Sequence, residues 1–390
     1  MGMTRRQALA RAAGGALGAL AGRVPAGTTA PDTKGYLRSL EAITCEYEHH
    51  GRPRRRSILR ATTTDGVVGG ARVLGGASVA EAEEALRGQN LFDAQAVWKR
   101  LAERQVGNGF LRAAVDIVCW DLHARTRKMP LHALLGTKRT RYRPYGDERW
   151  RDTMTPESYA RGVARNFARR GNLCTKLHIP GTYKVDRAYA RNIGEKGWDL
   201  DTLLHTLRAV RAAVGDEVAL AYDPHPQKAA ALALDDARRI ARVLDQCRYE
   251  WVECLLPPEP ERLDDWLQLR KLASLRFQRE ESPAQTADQE IRWLRAGAAN
   301  QVTWDCRFGG ITELLRILGW IREHPEARAK LNLHYSAPAH EHIAAATTDE
   351  EFPWVEACFD EDRYKDGTTA APDWVGVAHI DWDFIEKHRI

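Results

Sequence analysis

VALAYD, from Val218 to Asp223, is a short apolar run that stops at an acid. The same grammar returns in YEWVE (Tyr249 to Glu253), LRFQRE (Leu275 to Glu280), QVTWD (Gln301 to Asp305) and LNLH (Leu331 to His334). Working outward, runs at 142–145 and 173–178 precede these and one at 353–356 follows, most of them separated by a longer amphipathic stretch. Short apolar runs bounded by helical patterns suit strands buried on both faces. Strand then helix, repeated about eight times, predicts a parallel (β/α)8 barrel of the TIM type over 138–365.

Before the barrel the texture differs. Runs at 43–47, 58–63 and 67–73, with a turn at Asp65-Gly66 and a basic connection between the first two, predict a small antiparallel sheet. Helical periodicity follows at 79–87, 93–105 and 109–127, the last carrying Leu111, Val115, Val118, Cys119 and Leu122 at spacings of three and four. An α+β unit over 36–137 is expected, completed by the C-terminal residues 366–390.

The net charge of +5 falls to +1 once the four arginines of residues 1–30 are set aside, because that segment holds no acid. A body so near neutrality argues against a nucleic-acid partner. No apolar run approaches the length of a membrane span. Arg5-Arg6 before a weakly apolar stretch ending near Ala30 reads as a twin-arginine export signal, so a periplasmic location is expected, or a cytoplasmic one without that signal. Seven cysteines, none in a CxxC pair, point to neither a disulfide framework nor structural zinc.

What ends the runs carries the chemistry. Lys176 and His178 end the second, Asp223 the third (with His225 just beyond), Glu253 the fourth, Glu281 the fifth, Asp305 the sixth, His334 the seventh and Glu356 the eighth. From Asp223 onward the intervals are 30, 28, 24, 29 and 22 residues, about one strand-helix unit each. A barrel gathers the C-terminal ends of its strands around one mouth, so these groups converge. Asp223, Glu253 and Glu281 on consecutive strands would repel one another unless a hard divalent cation lay among them, and Mg2+ is the expected cofactor. Asp305 and His334 end neighbouring strands, where a carboxylate holds an imidazole in one tautomer and makes it a better base. Such parts suit removal of a proton next to a carboxylate, whose developing charge needs a cation and a donor such as Glu356 or a lysine.

From Gly109 the chain reads GFLRAAVDIVCWDLHARTRKMPLHALLG, and Ala114-Val115-Asp116, Trp120-Asp121-Leu122 and Leu134-Leu135-Gly136 within it resemble the enolase superfamily where the capping domain enters the barrel. Matching segments follow in order at Val210 to Gly215, at Trp251-Val252-Glu253 with Pro257-Pro258, at Gly309-Gly310-Ile311-Thr312-Glu313, and at Ala339 to Ala346 ahead of Glu356. The resemblance implies an α+β capping domain over a modified, (β/α)7β-like TIM barrel, with Asp223, Glu253 and Glu281 as magnesium ligands. It also implies the mandelate racemase branch, with Asp305 and His334 as its acid/base dyad and Glu356 polarising the substrate carboxylate. Members of this kind are racemases, epimerases or acid-sugar dehydratases acting on a small carboxylate, and they commonly form homo-oligomers.

The departures matter. The branch usually carries Lys-x-Lys where this chain has Lys176-Leu177-His178, which puts histidine in place of the second lysine. Glu280 rivals Glu281 as third ligand. Asp223-Pro224-His225 resembles an Asp-x-His of sugar-acid dehydratases, in which the histidine protonates the departing hydroxyl. The expected reaction is therefore dehydration of an aldonate or aldarate to a 2-keto-3-deoxy acid, with His334 taking the C2 proton and His225 or His178 serving the leaving group. A racemase using His178 and His334, or a binding protein on the same fold, is the alternative. Arg52, Arg54, Arg55 and Arg56 lie in the connection that the resemblance sets over the barrel mouth, so Arg54 and Arg55, with Tyr145, are candidates for substrate binding.

Overall fold

The computed structural model describes residues 35–390 apart from 50, 75–78, 151–153, 172, 180–198, 225–231, 258, 280–284, 357–358 and 360–361. Residues 1–30, where an export signal is expected, and His225, Glu280 and Glu281 therefore lie outside the described residues. The chain divides into two compact units, one of 35–137 with 310–323 and 373–390, the other of 138–309 with 324–372.

In the first unit an antiparallel sheet joins β1 (Leu37–His49), β2 (Arg52–Thr63) and β3 (Val68–Val73) in that order. The basic stretch expected as a connection is instead the start of β2, with Arg54 opposite Tyr47 and Arg55 opposite Glu46. Sequence reading put a loop there because four arginines look like a solvated turn. In the sheet Arg55 has an acid of β1 directly across from it, and Arg56 lies over the Tyr47 ring at 5.4 Å. Gly51, just ahead of β2, has a φ of 69° that favours glycine.

The helix Gly109–Thr126 is capped by Asn108, which accepts from the Leu111 N–H at 3.1 Å. Two acids that apolar periodicity leaves unexplained are buried in it, and both take backbone donors. Asp116 accepts from Ile311 N at 2.6 Å, from Thr312 N at 3.0 Å and from the Thr312 hydroxyl, so its charge meets the N-terminus of the helix Ile311–Glu323. A side chain at Gly310 would come within 2.9 Å of that carboxylate, which accounts for the second glycine of the GGITE segment. Asp121 likewise accepts from Gly70 N at 2.9 Å and Val377 N at 2.6 Å, tying β3 and the C-terminal tail to the helix.

Burial pushes the Asp116 carboxyl up to about 6, against the lowering effect of its bonds to Thr312 and Ile311. The ordinary value is 3.8, so between the two the folded chain keeps a proton that the unfolded chain has lost. The group's contribution is full below that window and declines as pH rises through about 6. Urea unfolding of wild type and Asp116→Asn is expected to show a stability difference that shrinks by on the order of 3 kcal/mol from pH 4 to pH 7. A difference that grows with pH would contradict it.

The second unit is built on short parallel strands buried on both faces. β5 (Pro144–Arg149), β6 (Cys174–His178), β7 (Ala219–Tyr222), β8 (Trp251–Glu253) and β9 (Arg276–Gln278) follow one another in a single sheet whose other edge is β12 (Val355–Glu356). β10 (Gln301–Trp304) pairs with β11 (Lys330–Leu333). Asn300 N bonds Phe277 O at 3.2 Å and Leu331 N bonds Glu351 O at 2.8 Å, which bring that pair beside β9 and β12. Because β12 pairs with β5, the sheet curls until its last strand meets its first. The next described elements are no helix but β13 (Tyr364–Lys365) and β14 (Thr368–Ala370), which form a small sheet with β4 (Arg141–Tyr142).

The first barrel strand corrects the sequence reading. It runs to Arg149 and not to Tyr145, because its outer half is charged and carries no apolar signal. The helix Ala287–Ala296 shows how local chemistry sets the strand spacing, with Thr286 and Gln289 capping each other's backbone N–H groups and Gly297 closing the helix at φ 73°. Leu177, Tyr222, Val252 and Phe277 face the helices, whereas Tyr145, Cys174, Ala221, Trp251 and Trp354 fill the interior.

Candidate active site

Strand parity delivers the site. Side chains alternate along a strand, so the parity that puts Tyr145, Cys174, Ala221, Trp251 and Trp354 in the interior carries Asp147, Lys176 with His178, Asp223, Glu253 and Glu356 toward its C-terminal end. Register agrees, since Asp147 lies beside Lys176, Glu253 beside Gln278, and Glu356 beside Tyr145.

Lys176 is the hub. Its Nζ lies 3.2 Å from Glu253 Oε2 and 3.5 Å from both Asp223 Oδ2 and Glu356 Oε2, with all four side chains buried. Burial disfavours the ammonium, but Glu253, Glu356 and Asp223 outweigh it and hold the lysine well above its ordinary range. His178 lies between two carboxylates, with Nε2 3.4 Å from Asp147 and Nδ1 3.5 Å from Asp223. Asp147 is a site residue that sequence reading missed. Burial acts to raise its carboxyl, yet His178, Lys176 and Arg149 bring it well below the usual carboxylate range.

Glu356 is supported from behind. The Tyr145 hydroxyl lies 2.9 Å from Glu356 Oε2 and 3.3 Å from Asn332 Oδ1, and its one proton goes to the nearer oxygen. Asn332 in turn donates to Gln278 at 3.2 Å. Tyr145 is thus fully buried and bound to Glu356. These amides leave no signal in sequence, because a glutamine inside a short strand reads as a polar interruption.

Asp305 and His334 come together as their neighbouring strand ends predict. His334 Nδ1 is 3.2 Å from Asp305 Oδ2; the carboxylate is fully buried and the imidazole is 29% exposed. Sequence reading did not anticipate Arg307, whose Nε lies 3.0 Å from Asp305 Oδ1 and 2.9 Å from Oδ2 and whose Nη2 also bonds Oδ2. Burial would raise the Asp305 carboxyl, but His334 and Arg307 hold it well below the usual range. Arg307 also feels the charge of Glu356, which puts the dyad and the lysine-centred cluster in one electrostatic field.

Among the described residues no three His, Cys, Asp or Glu side chains form a metal-binding group. The expected third ligand, Glu281, and its rival Glu280 lie outside those residues. Two buried carboxylates from adjacent strands, drawn to one ammonium, are hard oxygen donors of the kind a divalent ion takes, so the residues present fit Mg2+. No helix among the described residues is long and apolar enough to cross a membrane.

Comparison with known proteins gives a consistent frame. Residues 159–379 match the family model described as Enolase C-terminal domain-like, and residues 52–136 match the mandelate racemase / muconate lactonizing enzyme N-terminal domain. D-gluconate dehydratase of Thermoproteus tenax is 26% identical over 209 residues, covering 53% of this chain and 38% of that protein. L-talarate/galactarate dehydratase of Salmonella typhimurium is 25% identical over 272 residues, covering 68% of this chain and 60% of that one. The chain thus spans less than two thirds of the length of either relative. The solved structure of D-glucarate dehydratase from Agrobacterium tumefaciens, complexed with magnesium, superposes with a TM-score of 0.75 at 22% identity, over 92% of this chain and 100% of that one. Such a likeness establishes a common fold.

Proposed function

The chain belongs to the mandelate racemase and muconate lactonizing enzyme family of the enolase superfamily, and from that premise we propose that it dehydrates a sugar acid, an aldonate or aldarate, to a 2-keto-3-deoxy acid. The observation that carries this reading is the Asp305–His334 pair, 3.2 Å apart and partly open, in one field with the buried cluster of Lys176, Asp223, Glu253 and Glu356.

Asp223, Glu253 and Glu281 would hold Mg2+, and the ion would supply positive charge to offset the negative charge that builds on the substrate carboxylate. The chain does the rest. Asp305 accepts from Nδ1–H of His334, which leaves the Nε2 lone pair to take the C2 proton. The Lys176 ammonium and Glu356, steadied by Tyr145, face the substrate carboxylate as electrons move onto it. His225 or His178 gives a proton to the 3-hydroxyl as its C–O bond breaks, water departs, and the resulting enol becomes the ketone.

An assay against a panel of aldonic and aldaric acids, with magnesium and with a chelator, tests the proposal. Keto-acid formation that needs the metal is the expected result. A specific observation keeps a racemase as second reading, since His178 also has a carboxylate partner in Asp147 and so offers a second imidazole. Exchange of the alpha proton in deuterated solvent without keto acid would favour it, and inertness toward the whole panel would leave only a binding protein.

A further inference from the structure

Arg307 does more than cap a strand end. It follows β10 in the short helix Cys306–Gly309, and its own backbone N–H donates to Asp305 Oδ1 at 2.8 Å. Its guanidinium then folds back on both oxygens of that carboxylate, and Nη2 reaches 3.5 Å from His334 Nδ1. The outer side of the guanidinium lies against the Tyr335 ring at 4.7 Å. Tyr335 is held at φ 65°, a conformation that a side-chain-bearing residue seldom adopts. The clamp is visible, because His340 donates from Nδ1 to Tyr335 O at 2.8 Å and accepts from Cys306 N at 3.0 Å on Nε2. One buried imidazole thus locks the two loops that carry Arg307 and His334.

Charge counting gives the consequence. A carboxylate with a protonated imidazole is neutral, so an isolated Asp–His pair favours protonation of the histidine. With a guanidinium on the same carboxylate, the group of three is neutral when His334 is uncharged and carries +1 when it is protonated. A like charge within about 4–6 Å disfavours the charged form. Near His334 also lie the Tyr335 ring, with centroids 6.4 Å apart, and His340. Burial keeps His340 below its ordinary value, and both of its ring nitrogens are already engaged. Glu356 acts through Arg307.

We propose that Arg307 is a positioning residue that keeps the His334 imidazole uncharged, and so ready to accept a proton, at a lower pH than an Asp–His pair alone allows. This rests on the reading of His334 as the base, and the test separates the two. Histidine-labelled full-length protein is titrated by NMR, with the His334 resonance assigned through His334→Asn. Relative to wild type, the His334 midpoint is expected to rise by about one pH unit or more in Arg307→Met. Arg307→Lys, which keeps the charge and loses the fork, is expected to leave most of the depression in place. Should the methionine variant fold poorly, Arg307→Gln serves as the neutral replacement. An unmoved midpoint in a folded neutral variant, or an equal rise in the lysine variant, overturns the proposal. If the midpoint moves while the acidic limb of kcat/KM does not, the tuning stands and the assignment of His334 as the base falls.

Discussion

His334→Asn is expected to lower kcat on the sugar-acid substrate by about a thousandfold, with KM changed far less. The imidazole is 29% exposed and lies outside the apolar clusters, so its loss opens no core cavity and the variant should fold. Only the base disappears. An asparagine at 334 still offers a donor to Asp305 but has no lone pair of useful basicity to receive the C2 proton. The alternative change, Asp305→Asn, is less clean. Asp305 is fully buried and accepts from Arg307 as well as His334, so that substitution leaves a guanidinium facing a neutral amide. Loss of turnover there would mix chemistry with misplacement. Single-turnover kinetics on His334→Asn separate binding from chemistry. A His334→Asn rate within about tenfold of wild type would remove the imidazole from the proton-transfer step.

Much of this site was legible because barrel strands end where chemistry begins. An apolar run that stops at an acid or a histidine is a strand end, and the period of about one strand-helix unit brings such ends together; Asp305 and His334 meet for that reason. The reading failed where strand ends are charged over more than one residue. In β5 the signal dies after Tyr145, yet the strand continues through Asp147, which meets His178 inside, and Glu148, whose carboxylate accepts from Asn166 on the outer helix at 2.8 Å. Alternation puts the two acids on opposite sides, and a run of charge conceals it. Arg307 was hidden differently, inside a segment whose glycines drew notice for family likeness. Those glycines have their own physical reason, since a side chain at Gly309 would strike the Trp304 ring. Asp116 and Asp121 stood in a motif without a role until their partners proved to be backbone N–H groups far away in sequence.

Lys176→Met should separate the stabilising role of the ammonium from its chemistry. Methionine fills most of the lysine's volume and removes the cation that Asp223, Glu253 and Glu356 share at 3.2–3.5 Å. Breaking a buried ion pair from one side costs about 3–5 kcal/mol, because the remaining charge stays desolvated. In chelator, the variant is therefore expected to unfold at markedly lower denaturant, with a loss in that range. Magnesium should then do more for the variant than for wild type. A ligand that binds the folded state alone stabilises in proportion to the logarithm of its concentration over Kd, and an acidic cluster without its ammonium holds a divalent ion more tightly. The shift between chelator and saturating magnesium should be larger in Lys176→Met, while turnover stays low because the donor to the substrate carboxylate is gone. Equal shifts in the two proteins would mean that these carboxylates do not form the ion's site. No loss in chelator would mean that the acids find relief elsewhere, and the ammonium would then be kept for the reaction alone.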